Sequence, residues 1–466
     1  MGNNTLATAT RSLENYSESF GGFEKSAASH ELAWLQKLRQ AGFARFSETG
    51  FPTTRDEDWR FTNPSAIART PFHLVRNGHS LPSRKEIEQF RIPGISSQLV
   101  FVDGRFAPEL SSVGKLPAGV TVSNLAGQIA RDPGSVEMHL GRYLDFQRDA
   151  FGALNTAFLE DGAYVHVKKG VVVEDPVAVL FVSTEHDSPT VNHPRNLIVA
   201  EENSQATIVE DYVSLAGGES LCNTVTELVA GDRSVISHYM IEREHAKSFN
   251  VSTLRIQQGR ASDVATHSVL LGGALVRNNV HPVLGGEGGE CLINGLFIGT
   301  GRQHLDNYML VEHASPHCGS RQFYNGILDG HSHGVFHGRI IVHKDAQKTD
   351  AKQTNRNLLL SDTAQIDTKP QLEIYADDVK CTHGATIGQM DENALFYLRS
   401  RGIDETSARR LLLVAFASEC LDRMKEGPVR DHVEKLVHDH MLRIAGASQS
   451  SAQPGGQGAT RTADAA

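Results

Sequence analysis

Between Gly162 and His383 the chain offers no helical pattern of ten or more residues, and this gap constrains the fold more than any other feature. The stretch instead repeats short runs rich in β-branched residues, separated by glycines and polar turns. Ala163–Val167, Val177–Val182, Asn196–Val199, Ala206–Val213, Arg233–Met240, Ser268–Leu271, Leu292–Ile298, Gly334–Val342, Asn357–Leu360 and Gln371–Ile374 all read as strands. A doubly wound α/β fold needs crossover helices between parallel strands and is not expected. Short strands joined by irregular polar corners suit a parallel β-helix, in which each coil touches only its neighbours. A β-sandwich is the alternative.

Helical texture flanks this region. Leu32, Leu35, Leu38 and Phe46 recur at helical steps between Ser29 and about Thr49, before Gly50 and Pro52. A second apolar stripe, through Leu140, Tyr143, Leu144, Phe151 and Leu154, predicts a helix around Met138 to Phe158. Between the two, LVFVDGRF (99–106) reads as β. Beyond the β region, Asp391 is a candidate N-cap with Gly402 as its C′ residue. Asp404 is the candidate cap of a second helix that ends before Gly427–Pro428, and Pro428 suits the first turn of a third. The expected organisation is a mainly helical domain over 1–160 (1–28 flexible), a β core over 161–383, a helical domain over 384–446 and a disordered tail over 447–466, which has almost no apolar content.

A net charge of −10 argues against nucleic acid or an anionic membrane as main partner. The longest apolar stretches, such as Leu411 to Ala417, are far too short to span a bilayer, and the first 20 residues have neither the basic nor the apolar part of a signal peptide. Five scattered cysteines fit a reducing cytosol, so a cytoplasmic protein is expected.

The chemistry starts from absences. There is no phosphate-binding loop: at the only Gly-Lys, Gly114–Lys115, Glu109 stands where the first glycine belongs and Leu116 follows. ATP hydrolysis by this chain alone is therefore not expected. No C-x-x-C occurs, so one local run cannot ligate a cluster. Cys381 and His383 stand apart. Residues i and i+2 of an extended segment project to one side, where a thiolate and an imidazole can face one metal centre; a buried cysteine beside a hydrogen-bonded histidine is the alternative. His331, His333, His337 and His343 share parity, but Gly330, Gly334 and Gly338 break the run, and a solvated strand face is expected rather than a metal site. His313, His317 and Cys318 flank a proline turn and are not expected to form a native metal site.

The stretch DTKPQLEIYADDVKCTHGATIGQMDENALFYLRSRGI (367–403) strongly resembles the SufB/SufD family of iron–sulfur cluster assembly proteins. KTDAKQTNRNLLLS (348–361), VFHGRIIV (335–342), GGECLINGLFIGTGRQHLDN (288–307) and ALNTAFLEDGAYVHVKKGV (153–171) extend it over most of residues 30 to 445. The run from Cys381 to Thr386 and the segment GFPTTRDEDWRFT (50–62) look like the SufD branch. The resemblance implies a right-handed parallel β-helix between helical N- and C-terminal domains. It further implies a non-catalytic scaffold subunit that pairs with SufB through the β-helix and docks the ATPase SufC on its C-terminal helices. A transient iron–sulfur cluster shared with SufB is implied, with His383 and, less directly, Cys381 as metal ligands. A reduced flavin in the complex has no support in this sequence. Other readings are a purely structural partner of SufB and a β-helix enzyme acting on polysaccharide. Cluster type, the number of ligands from this chain and self-association stay open.

Overall fold

The computed structural model describes residues 15–25, 32–75, 81–215 and 217–450, with side chains to residue 444. Two long sheets dominate, and successive strands from Ala163 onward alternate between them with few exceptions. One sheet runs Ala163–Val167, Arg195–Ala200, Ser220–Ala230, Phe249–Gln258, Leu275–Leu284, His304–His313, His333–Val342 and Gln365–Ile374. The other runs Val177–Ser183, Gln205–Ser214, Val235–Arg243, Asp263–Leu270, Glu290–Gly299, Gly319–Leu328, Asp350–Leu359 and Lys380–Gly388. Pairing along both is parallel, with register partners one coil apart, from Phe249↔Leu275 to His333↔Gln365. That is a β-solenoid of about seven turns with helices at both ends, mostly β as expected; a sandwich of antiparallel strands is ruled out.

One corner of the coil repeats with a specific chemistry. Asn203, Arg233, Ala261, His317 and Lys348 hold φ between +51° and +62°, a left-handed conformation that costs a non-glycine residue energy. Each is stacked over the next. Asn203 N–H donates to the Asp232 carbonyl, Arg233 to Arg260, Ala261 to Glu287, His317 to Gln347 and Lys348 to Asp378. The hydroxyls of Ser204, Ser234, Ser262 and Thr349, each one residue on, donate back into the same turns. Gly170 and Gly288 fill the remaining rungs, donating to the Glu202 and Pro316 carbonyls, and between-coil hydrogen bonds offset the strain at the non-glycine positions.

Helices cover both outer sheet faces. Val209, Tyr239, Ile241, Val269, Leu296 and Ile327 pack against Leu413, Ala417, Val433 and Val437 of helices Glu405–Leu421 and Pro428–Ser450. On the other side, Tyr164, Leu197 and Val199 meet Leu35, Leu125 and Leu140. The caps expected at Asp391 and Asp404 form, and Gly402 takes φ +87° just past the first of these helices. The expected helix from Met138 to Phe158 is only Ala150–Ala157. Gly141, at φ +76°, breaks the earlier part, and its N–H together with that of Tyr143 is held by the Glu227 carboxylate instead. Leu140 and Leu144 are buried all the same, so the apolar stripe reported burial without helix. Of the expected flexible 1–28 and disordered 447–466, residues 1–14, 26–28 and 451–466 lie outside the described residues; residues 15–25 are helical and bury Tyr16, Phe20 and Phe23, and the last helix continues to Ser450.

The interior is not purely apolar. Glu242 accepts from the backbone N–H of Glu244 and Gly272, while Glu244 accepts from Asn250 Nδ2 at 2.8 Å and Ser183 Oγ at 3.1 Å. Burial raises both carboxyls, Glu242 well above the usual carboxylate range and Glu244 to about 7. A carboxyl with a raised folded-state pKa binds more protons folded than unfolded. Stability then falls as pH climbs from the ordinary carboxylate value towards 7, by up to about 1.4 kcal/mol per unit for one group. Glu244→Gln removes that loss while keeping an acceptor for Asn250. We expect the variant to melt above the parent at pH 8 and level with it near pH 5; a constant difference across that range would show that Glu244 does not titrate.

Candidate functional site

Cys381 and His383 lie within the last strand, Lys380–Gly388, which runs past residue 383. This strand pairs with Asp350–Leu359 on one side and forms the end of its sheet. No further coil follows, so most of it is exposed. Register places Cys381 beside Ala351 and His383 beside Gln353, both of which are buried in the solenoid interior. Below them run Ser320 and Cys291 in one column, Gln322 and Ile293 in the other. The two candidate ligands therefore share the inward-facing parity, at the one end of this sheet where that interior meets solvent.

The two side chains differ in setting. Cys381 is half-buried and packs against the core, and desolvation raises its thiol pKa. At neutral pH it is a thiol, and a metal would have to displace its proton. His383 is exposed. Alongside the strand, a cavity of about 310 Å³ lies between Leu358 and Ile387 and the helix residues Leu412 and Phe416. The short helix Glu392–Ser400 that follows exposes Phe396 and Tyr397.

The remaining cysteines are buried and unbonded to one another. Cys420 donates to the Gly295 carbonyl at 3.1 Å, and burial raises its pKa to about 12. The other histidines do not converge. His333 bonds Asp367 at 2.8 Å and His343 bonds Glu312 at 3.1 Å. His337 is not solvated as expected. It is buried edge-on against Tyr308 at 4.9 Å, and burial lowers its pKa to about 4. The cause is the segment around Glu57 to Thr62, which crosses this face with Glu57 on Lys369, Trp59 over Arg277 at 4.0 Å and Thr62 on Asp306. His313 bonds Ser320, and Cys318 donates to the Gly286 carbonyl, so they form no joint site. Gly334 and Gly338 do not interrupt their strand. Each faces inward where a Cβ would overlap a neighbour, at Gly338 the Gln353 amide. Among the described residues no three His, Cys, Asp or Glu side chains gather as a metal group, and no helix is long and apolar enough to cross a membrane.

The thiol and the imidazole thus lie on the exposed terminal strand of a helix-flanked parallel solenoid. Residues 181–416 match the family described as SUF system FeS cluster assembly, SufBD core domain, and residues 10–179 match the SufBD protein N-terminal region. The chain belongs to the SufBD family of iron–sulfur cluster assembly proteins. It is 34% identical to an iron–sulfur cluster assembly SufBD family protein of Synechocystis sp., covering 86% of this chain and 90% of that one. It is 31% identical to the iron–sulfur cluster assembly protein SufD of Escherichia coli, over 83% and 88% of the two chains. The SufD of Bacillus subtilis is 26% identical over 93% of this chain and 98% of its own.

Proposed function

We propose that this chain is a SufD-type subunit, a non-catalytic scaffold that pairs with SufB and, through its C-terminal helices, docks the ATPase SufC. An iron–sulfur cluster is its cargo, built at the junction with SufB with His383 and Cys381 as this chain's ligands. The observation that carries the reading is their shared inward parity on an edge strand that no further coil covers. An uncovered edge is a template for strand pairing by another chain. A cluster generally takes four ligands, so two from one chain call for others from a partner. The exposed Phe396 and Tyr397, directly after the strand, support a docking role for the helices. The relatives named SufD support the choice of branch.

Co-expression with SufB and SufC from the same source, followed by iron and sulfide analysis, tests this directly. We expect a complex containing all three chains that assembles iron and sulfide, while the isolated chain retains almost none. A chain that purifies alone under those conditions would contradict the reading.

A further inference from the structure

Gln353 lies one coil inside His383, paired with it in register on the neighbouring strand. It is 1% exposed, and its carboxamide is fixed on two sides. Its Nε2 donates to Gln322 Oε1 at 2.9 Å, one coil further in, and Gly338 leaves its only room by lacking a Cβ. Its Oε1 is buried with no hydrogen-bond partner among the described residues. An unpaired buried carbonyl oxygen costs about 1 to 3 kcal/mol unless water or a neighbouring side chain reaches it. With the nitrogen committed to the preceding coil, the oxygen is the end of the amide left for the following coil, whose backbone runs one strand spacing of about 4.8 Å further along the sheet and carries His383 at this register position.

We infer that Gln353 is the positioning residue for His383: when the exposed imidazole turns inward, the carboxamide oxygen accepts its N–H and leaves the other ring nitrogen free to bind metal. This rests on the reading of His383 as a cluster ligand. An exposed histidine changes rotamer freely and carries its proton on either nitrogen. Only the tautomer with a bare nitrogen towards the metal can ligate, and a buried acceptor on the far side of the ring selects it. Cys381 has Ala351 at the equivalent place, where only the backbone, and no polar side chain, reaches its thiol.

The test uses the full metal-free chain labelled with 15N-histidine, the His383 signals being those lost in His383→Ala. At a pH where the ring is neutral, we expect one tautomer to dominate in the parent. In Gln353→Met, of similar size but with no acceptor, the tautomers mix. Gln353→Glu keeps an acceptor and restores the single form. Gln353→Asn, which withdraws the oxygen by one methylene, mixes them without removing polarity and serves should the Met variant fold poorly. Unchanged tautomers in both Met and Asn variants with parental circular dichroism would overturn the proposal. In the assembled complex, Gln353→Met is expected to lower iron and sulfide content about tenfold, with Glu restoring most of it. Because tautomers are read without metal, a shift in tautomer with unchanged iron content would leave the positioning intact and sink the ligand reading instead.

Discussion

Arg195→Met is expected to destabilise the attachment of the N-terminal layer to the solenoid by about 3 to 5 kcal/mol, the usual cost of stranding one member of a buried ion pair. Arg195 and Glu227 are both fully buried, their guanidinium and carboxylate 2.5 Å apart. Arg195 also donates to Asn155 Oδ1 at 3.1 Å and Thr156 Oγ1 at 3.3 Å on helix Ala150–Ala157. Glu227 accepts from the N–H groups of Gly141 and Tyr143. The pair thus sits on adjacent strands and holds two separate N-terminal segments. Removing the arginine leaves a carboxylate in the interior with only two amide donors. Removing the carboxylate instead, as Glu227→Gln, leaves a buried guanidinium. The double variant strands neither charge, so it should be more stable than the sum of the single losses implies, by at least about 2 kcal/mol. Hydrogen exchange across residues 138–158, with denaturant unfolding followed in parallel, reads both effects. Strict additivity of the two substitutions would show that the pair is not the fastening.

The solenoid was legible because its turns punctuate it and no helix interrupts it, yet several of its strands were not. Ser220–Ala230, Phe249–Gln258, Leu275–Leu284, His304–His313 and Gly319–Leu328 escaped reading as strands. A strand buried on both faces loses the alternation that marks half-buried ones. In Ser220–Ala230, Thr224 and Thr226 line the interior beside Glu210 while Asn223 and Glu227 bond outward to the N-terminal layer, so a fully buried strand reads as polar. Leu275–Leu284 contains Pro282, which argues against an internal strand. The register to His304–His313 skips His281 and Pro282, which accommodates the missing donor. The repeating corner escaped because most of its left-handed residues are not glycine but Asn, Arg, Ala, His and Lys, stabilised by bonds between coils that no single stretch of sequence displays.

The candidate site was legible in part. The i, i+2 spacing of Cys381 and His383 put them on one side of an extended segment, and the structure does so. That this side faces the solenoid interior depends on register with residues some 30 positions earlier, which spacing cannot supply. Gln353 was invisible for the same reason: a glutamine in a polar run acquires meaning only when its oxygen is buried and unpaired beneath His383. The histidine group ending at His343 misled in the other direction. Its shared parity was real for His333 and His337, but the segment from Glu57 to Thr62, nearly 300 residues away, buries one of them.

His383→Ala should cut cluster formation in the assembled complex by at least about tenfold while leaving assembly intact. His383 is exposed on the edge strand, and Gln353 is the buried residue at its register position on the neighbouring strand. Its truncation therefore creates no enclosed cavity and lets water reach the Gln353 oxygen, so the isolated chain should melt within about 1 kcal/mol of the parent. Backbone pairing by a partner along Lys380–Gly388 uses N–H and C=O groups that the substitution leaves in place. Cys381→Ser is expected to have a smaller effect on cluster yield. The thiol is held protonated by partial burial and lies against the core, so its recruitment costs a proton and a movement that the exposed imidazole does not need. Size-exclusion chromatography of the three-chain complex, iron and sulfide analysis, and ATP hydrolysis separate the alternatives. Loss of the complex itself would make His383 an interface residue. An intact complex with full iron and sulfide would place all the ligands in the partner. Only an intact, ATP-hydrolysing complex that fails to build its cluster fits an imidazole that ligates iron at the open end of the solenoid.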